Sequence, residues 1–410
     1  MSLIVQKYGG TSVESIERIQ NVANRVIETH LQGHEVVVVV SAMGKSTDHL
    51  IKMAHNISDH PSKRELDMLI STGEQVSMSL LAMALQQKGY HSVSLTGWQA
   101  GIKTESEHGN ARILNIETKR INRHLASGNI VIVAGFQGMM IEEEIATLGR
   151  GGSDTSAVAL AASLKASKCE IYTDVKGVYT TDPRVVNEAR KLPAISYDEM
   201  LEMANLGAGV LHPRSVEFAK NYNVTLEVRS SIEKEAGTMV EEEVSMEGNL
   251  MVRGIAFEDN VTKITVHGLP DEMSMLANLF TILADHQINV DVIIQNTNGN
   301  QTTNVSFSLD SEVLKETLEV LKQYRSHLNY DHITHEGHLA KVSIVGSGMI
   351  SNPGVAAQMF EVLANDHIKV KMVSTSEIKV STIVDSSMMI PAIECLHEAF
   401  ELDARKPVHV

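Results

Sequence analysis

The chain is poor in cysteine: its 410 residues include only Cys169 and Cys395, far apart and without a CxxC pair. That argues against a disulfide framework and against a thiolate zinc site, and it fits a reducing compartment. Positive charge is also in deficit. With 35 Lys and Arg against 51 Asp and Glu, the net charge of −16 disfavours general binding to nucleic acid or an anionic membrane. No apolar run approaches the roughly 20 residues of a membrane helix. The N-terminus enters a strand-like run with one lysine and no apolar signal region. The 18 histidines are scattered along the chain, and no metal ligand is read from them. Together these absences predict a soluble, cytoplasmic protein.

What is present is periodicity. Short β-branched runs at 3–5, 35–40, 92–95, 130–134, 170–173 and 224–228 alternate with helical stretches such as 14–29, 66–87 and 154–164. Runs without strict alternation suit strands covered on both faces. Strand–helix alternation predicts a three-layer α/β domain with a mostly parallel sheet and ligands at the strands' carboxyl ends. Ser196 and Glu199 form a capping-box pattern that opens a further helix. A polar stretch over 231–249, with Glu241, Glu242 and Glu243 at its centre, breaks the pattern. Beyond it the chain repeats itself. Ala277 to Ala284, followed by Ile288, matches Ala357 to Ala364, followed by Ile368, an offset of 80 residues (277 to 357). Each copy reads strand, Gly-bearing loop, helix, strand, and two copies are too few for a solenoid. The expected boundaries are a first domain over 1–235, a linker over 236–250, and modules over 251–335 and 336–410.

Polar, glycine-bearing loops follow the strand-like runs. KYGGTSV (Lys7 to Val13) ends the first: Gly9 and Gly10 let the backbone approach phosphate oxygens, and Lys7 adds a full charge. Taken alone, a strand–Gly-Gly–helix turn is equally explained by tight packing. SAMGKST (Ser41 to Thr47) ends the second, and Glu74 stands in the predicted helix after it. RGGSD (Arg150 to Asp154) follows the 130–134 run, where Arg150 can fork onto a carboxylate and Asp154 reads equally as a helix cap. The 170–173 run leads into TDVKGVYTTDPR, whose Asp174, Tyr179, Asp182 and Arg184 suit ribose, base and phosphate. Such convergence predicts one site on the sheet's carboxyl edge.

This set of motifs, with GVLHPRSVEFA (Gly209 to Ala219), resembles the signature of aspartokinases within the amino acid kinase fold. The repeat resembles the paired, ferredoxin-like (βαββαβ) ACT modules these enzymes carry. The resemblance spans essentially the whole chain. It implies phosphorylation of the side-chain carboxylate of L-aspartate by MgATP, a first step toward lysine, threonine and methionine. It assigns catalysis to Lys7, Asp154 and Arg150, and substrate binding to Ser41, Thr47, Glu74, Arg150, Gly151, Gly152 and Ser153. ATP would be held by Lys7, Tyr8, Gly9, Gly10, Thr173, Asp174, Tyr179, Asp182 and Arg184. Mg²⁺ would ride on the phosphates without a named protein ligand. One departure stands out: Gly209 occupies a position where many relatives have lysine, and Arg184 is the expected replacement cation. Rival readings are a glutamate or uridylate kinase of the same fold, or an amino-acid sensor without catalysis.

By the same resemblance, effector contacts would come from Asp271, Asn289, Asp291 and Gln295 in the first module and Ser374, Thr375, Glu377 and Ser381 in the second. The acids favour an effector with an extra ammonium, hence L-lysine ahead of L-threonine. ACT modules usually pair, so a homo-oligomer is expected. The purine-only codons of Glu241 to Glu243 ahead of Met246 also suggest an internal start giving a small in-frame subunit.

Overall fold

The computed structural model describes residues 2–206, 210–242, 251–297 and 301–403. They form two compact units. The first runs to Tyr179 and resumes at Lys191; the second takes Thr180–Arg190, Leu206 and everything described from residue 251 onward.

In the first unit, β1 (Leu3–Tyr8) leads through a 3₁₀ turn, Gly10–Val13, to α1 (Ile16–Leu31) and β2 (Glu35–Val40). Then come α2 (Thr72–Gln87), β3 (Ser92–Leu95), β4 (Ile130–Ala134), α3 (Gly152–Leu164) and β5 (Lys168–Thr173). β6 (Ala194–Ser196), α4 (Pro213–Tyr222), β7 (Leu226–Ser230) and β8 (Thr238–Glu241) complete the eight-stranded sheet, ordered β6-β8-β7-β5-β1-β2-β4-β3. From β7 to β3 every neighbouring pair is parallel. Five consecutive valines in β2 are buried because helices cover both faces, each valine contributing roughly 1.5–3 kcal/mol. β1 has β2 on one side and β5 on the other, so the chain reverses direction across the sheet at β1. Such switch points open a crevice at the carboxyl edge, and Lys7 stands there.

Strand alternation then sorts side chains. Lys7 faces α3, whereas Gln6 and Tyr8 face α1, where the Tyr8 ring stacks on Tyr172 at 4.6 Å. α3 is buried along most of its length, which its Gly, Ser and Ala content permits.

Several sequence expectations need correction. The helix expected over 66–87 is two helices, Lys63–Ile70 and α2, broken at Ser71. Asp154 does not cap α3; Gly151 does, and Asp154 lies in the first turn. The stretch read as linker begins within the sheet, since β8 pairs with both β6 and β7. The Ser196–Glu199 capping box forms as read, with reciprocal 3.3 Å bonds. Glu243 and Met246 lie outside the described residues.

The second unit is one antiparallel six-stranded sheet with helices: β9 (Gly254–Pro270), α5 (Met273–Asp285), β10 (Ile293–Thr297), β11 (Thr302–Asp310), α6 (Leu314–Gln323), β12 (His332–Val345), α7 (Val355–Asn365), β13 (Met372–Thr375), β14 (Lys379–Asp385) and α8 (Met389–Ala399). Its order is β10-β11-β9-β12-β14-β13. The repeat becomes two cores, one around Leu279, Phe307 and Leu321, the other around Val342, Met359 and Leu396. The modules share their long strands. The Gly254 end of β9 pairs with the Val345 end of β12 and gives Ile255 to the second core, although it lies at the start of the first module in sequence. Val186, from Thr180–Arg190, lies in that core too.

Candidate active site

The site is assembled from the carboxyl ends of β1, β2, β4 and β5 and the N-terminal turns of α2 and α3. Lys7 Nζ lies 2.6 Å from Asp154 Oδ1, and both residues are nearly buried. No aligned hydrogen bond reaches that oxygen, so the contact is an ion pair whose ammonium keeps donors for another oxygen. A Cβ built on Gly9 would stand 3.3 Å from Lys7 Nζ, and one on Gly10 would press to 3.0 Å on the Ala42 carbonyl. Both glycines therefore leave room where the edge approaches the cation. The first turn of α3, with its backbone N–H groups and positive dipole end, adds a preference for anions.

Glu74 lies on the neighbouring side. Its Oε1 accepts from Ala42 N at 3.0 Å, while Oε2 is buried with no partner among the described residues. Burial pushes its carboxyl up to about 8, against the bond from Ala42 that pulls it down. A half-satisfied carboxyl of this kind awaits a cation. Thr47 Oγ1 stands beside Gly73 on the same wall, and the Ser41 carbonyl accepts from Ser77 Oγ at 2.7 Å.

Arg150 is exposed, and no ion pair among the described residues engages it. It precedes Gly151, Gly152 and Ser153 at the mouth of α3. Gly151 has φ +66°, and a Cβ there would lie 2.2 Å from the His212 side chain. Burial, with Arg214 and Arg150 against the opposing pull of Asp154, holds the His212 imidazole below its ordinary range. Lys7, Asp154, Gly9, Gly10, Glu74, Thr47 and the Arg150 loop are thus brought to one edge. Tyr8 contributes only its main chain, because its ring faces α1.

Of the residues expected to hold the nucleotide, Thr173, Asp174 and Tyr179 belong to this unit, and Thr173 Oγ1 donates to Asp174 Oδ1 at 3.0 Å. Asp182 and Arg184 belong to the second unit and pair with each other at 2.6 Å. Gly209 lies outside the described residues. Sequence reasoning missed two contributors. The Ala42 amide carries no side-chain signal, and Arg214 could have been noticed as the cation of the His-Pro-Arg helix start.

In the second unit the two effector sets lie apart. Asp271, Asn289, Asp291 and Gln295 are exposed toward the β10 edge; toward the β13 edge Thr375 and Glu377 are exposed and Ser374 is half-buried. Asp291 already pairs with buried Lys341, which also holds Glu258 at 2.6 Å. Ser381 is buried, its hydroxyl 2.7 Å from Ser343 Oγ.

A parallel sheet whose switch point carries a lysine, two glycines and a helix N-terminus suits a phosphoryl-handling protein. The sequence model of the amino acid kinase family matches residues 2–230, and ACT domain models match 262–326 and 342–400. The chain is 67% identical to the aspartokinase of Bacillus sp. strain MGA3 over 98% of both, and 65% identical to aspartokinase 2 of Bacillus subtilis over 98% of both. E. coli aspartokinase III in complex with aspartate and ADP superimposes with a TM-score of 0.82 at 27% identity, covering 97% of this chain and 99% of that one. The same enzyme in complex with lysine and aspartate gives 0.77 at 26% identity, with the same coverage. The chain belongs to the amino acid kinase family and, within it, to the aspartokinases.

Proposed function

We propose that the chain transfers the γ-phosphoryl group of MgATP to the side-chain carboxylate of L-aspartate, giving 4-phospho-L-aspartate and ADP. The observation that carries this reading is Glu74, a buried carboxyl with one oxygen unpartnered beside a phosphate-type loop, which fits an α-ammonium. Arg150, an unengaged cation, fits the α-carboxylate. The reacting carboxylate is ionised at neutral pH and is itself the nucleophile, so no general base is required. Lys7, held by Asp154, neutralises the charge that develops on the transferring group, with the Gly9 and Gly10 amides beside it. No group of three or more carboxylate or imidazole donors converges among the described residues, and Asp154 is already engaged. Magnesium is expected to be held by the phosphate oxygens of ATP, with no protein ligand assigned.

Asp174, Tyr179 and Thr173 would hold the nucleotide, with Arg184 supplying the cation that relatives take from the Gly209 position. Arg184→Ala tests that assignment: unchanged MgATP affinity and turnover would dismiss it. ADP release measured with aspartate, glutamate and uridylate tests the whole reading. Aspartate alone should support turnover; turnover with glutamate only, or with none, overturns it.

The effector reading is lysine, supported by the lysine complex of the E. coli enzyme. The two effector sets occupy opposite edges of one sheet, which favours a homo-oligomer that brings sets from different chains together. Calorimetry should register lysine; binding of threonine alone would reject this. The reduced cysteines suit a cytoplasmic setting, and a product starting at Met246 in cells with the native gene is the test of the internal start.

A further inference from the structure

We infer that Arg214 is a positioning residue for the substrate-carboxylate loop, fixing the backbone from which Arg150 reaches. This rests on the assignment of Arg150 to the aspartate α-carboxylate.

The guanidinium of Arg214 makes three bonds, all to neutral oxygens: Leu148 O at 2.7 Å, Asn110 Oδ1 at 2.8 Å and Ala111 O at 3.1 Å. No ion pair among the described residues engages it, and burial holds it below the ordinary guanidinium range. A half-buried cation without a carboxylate partner is costly, and such an arrangement persists where the geometry it enforces matters.

That geometry is the approach to Arg150. Leu148 is fully buried, and its N–H donates to Phe136 O at 2.9 Å, so Arg214 completes the fixing of this peptide from its carbonyl side. Gly149 follows with φ +75°, and a Cβ there would stand 2.6 Å from the same Asn110 Oδ1 that Arg214 grips. Gly151, with φ +66°, is packed against His212, two residues before Arg214. Arg150 therefore lies between two left-handed glycines, each clamped by a residue of, or bound to, the His212-Pro213-Arg214 helix start. A second anchor holds the neighbouring residues of the same two segments. Asp67 is buried and accepts from Thr147 N at 3.2 Å, Thr147 Oγ1 at 2.6 Å and Gly109 N at 3.0 Å. The long, exposed Arg150 side chain is thus carried on a backbone with little freedom, which reduces the ordering that carboxylate capture requires.

The test compares Arg214→Met, Arg214→Lys, Asn110→Ala and Arg150→Ala in the full chain, measuring KM for aspartate, KM for MgATP, kcat and thermal unfolding. In folded Arg214→Met, KM for aspartate should rise about tenfold or more while KM for MgATP stays within about twofold. Arg214→Lys keeps the charge but cannot span three oxygens, so it should fall between. Asn110→Ala should raise KM for aspartate a few-fold, and it decides the matter should Arg214→Met not fold. An unchanged KM for aspartate, or equal rises in both KM values, overturns the inference. An unchanged KM in Arg150→Ala overturns it too, by removing the carboxylate assignment beneath it. A raised KM in Arg150→Ala with an unchanged one in Arg214→Met refutes only the positioning role.

Discussion

At Lys7 an ammonium is held by one carboxylate yet retains donors for a phosphoryl oxygen. Lys7→Ala should lower kcat by about 10²–10³-fold, the loss typical of one electrostatic contact to a transition state, with a smaller change in KM for aspartate. Glu74 gives a pH signature. With its carboxyl at about 8, it must lose a proton before pairing with the substrate's ammonium. KM for aspartate should therefore fall as pH rises toward 8, by up to about tenfold per unit, and Glu74→Gln should raise KM and flatten that profile. The stability sign is opposite. A carboxyl raised on folding favours the folded state fully below the unfolded value of 4.5 and loses that contribution as pH climbs to about 8, so Glu74→Gln should unfold at higher temperature above pH 8. Lys7, Gly9, Gly10 and Arg150 were legible because their chemistry is in the side chain or its absence. The pairing of Lys7 with Asp154 carries no signature in spacing, and from spacing alone Asp154 read equally well as a cap.

At the scale of the element, α3 shows how backbone form serves the site. Gly151→Ala adds strain of about 1 kcal/mol from its positive φ and also displaces His212, so kcat/KM for aspartate should drop about tenfold or more. Gly33→Ala is the control: its φ is +89°, but nothing stands within 4 Å, so only stability should suffer. Among the strands, β2, β3 and β4 begin and end as the β-branched runs do. β1 runs on through Lys7 and Tyr8, polar residues that a hydrophobic run excludes but that strand pairing with Val39, Val40 and Tyr172 accommodates. The break at Ser71 was not legible, since no Gly or Pro marks it. Its buried carbonyl accepts from Gln137 Nε2 at 2.8 Å, a partner far along the chain.

For the whole molecule, the constant repeat offset revealed two modules, but not that they exchange strand ends nor that Thr180–Arg190 belongs with them. Nothing local distinguishes that segment from a surface loop; its membership comes from Val186 in the second core and from Thr180 Oγ1, 3.0 Å from His397 Nε2. His397 is buried and held below its ordinary 6.5, chiefly by desolvation, with Asp403 and Glu188 pulling up and Arg190 pushing down. A lowered histidine stabilises the fold above the unfolded value and loses that contribution as pH falls through the folded one. The second unit should therefore melt earlier below pH 6.5, and His397→Gln should remove that dependence in differential scanning calorimetry.

The placement of Thr180–Arg190 also sets an order of events at the ribosome. Its partners His397 and Leu402 are encoded 217 and 222 residues after Thr180. At about 5–20 residues per second, the nascent chain carries an uncovered Val186 for roughly 10–40 s. Only when the last helix emerges does that patch find its place.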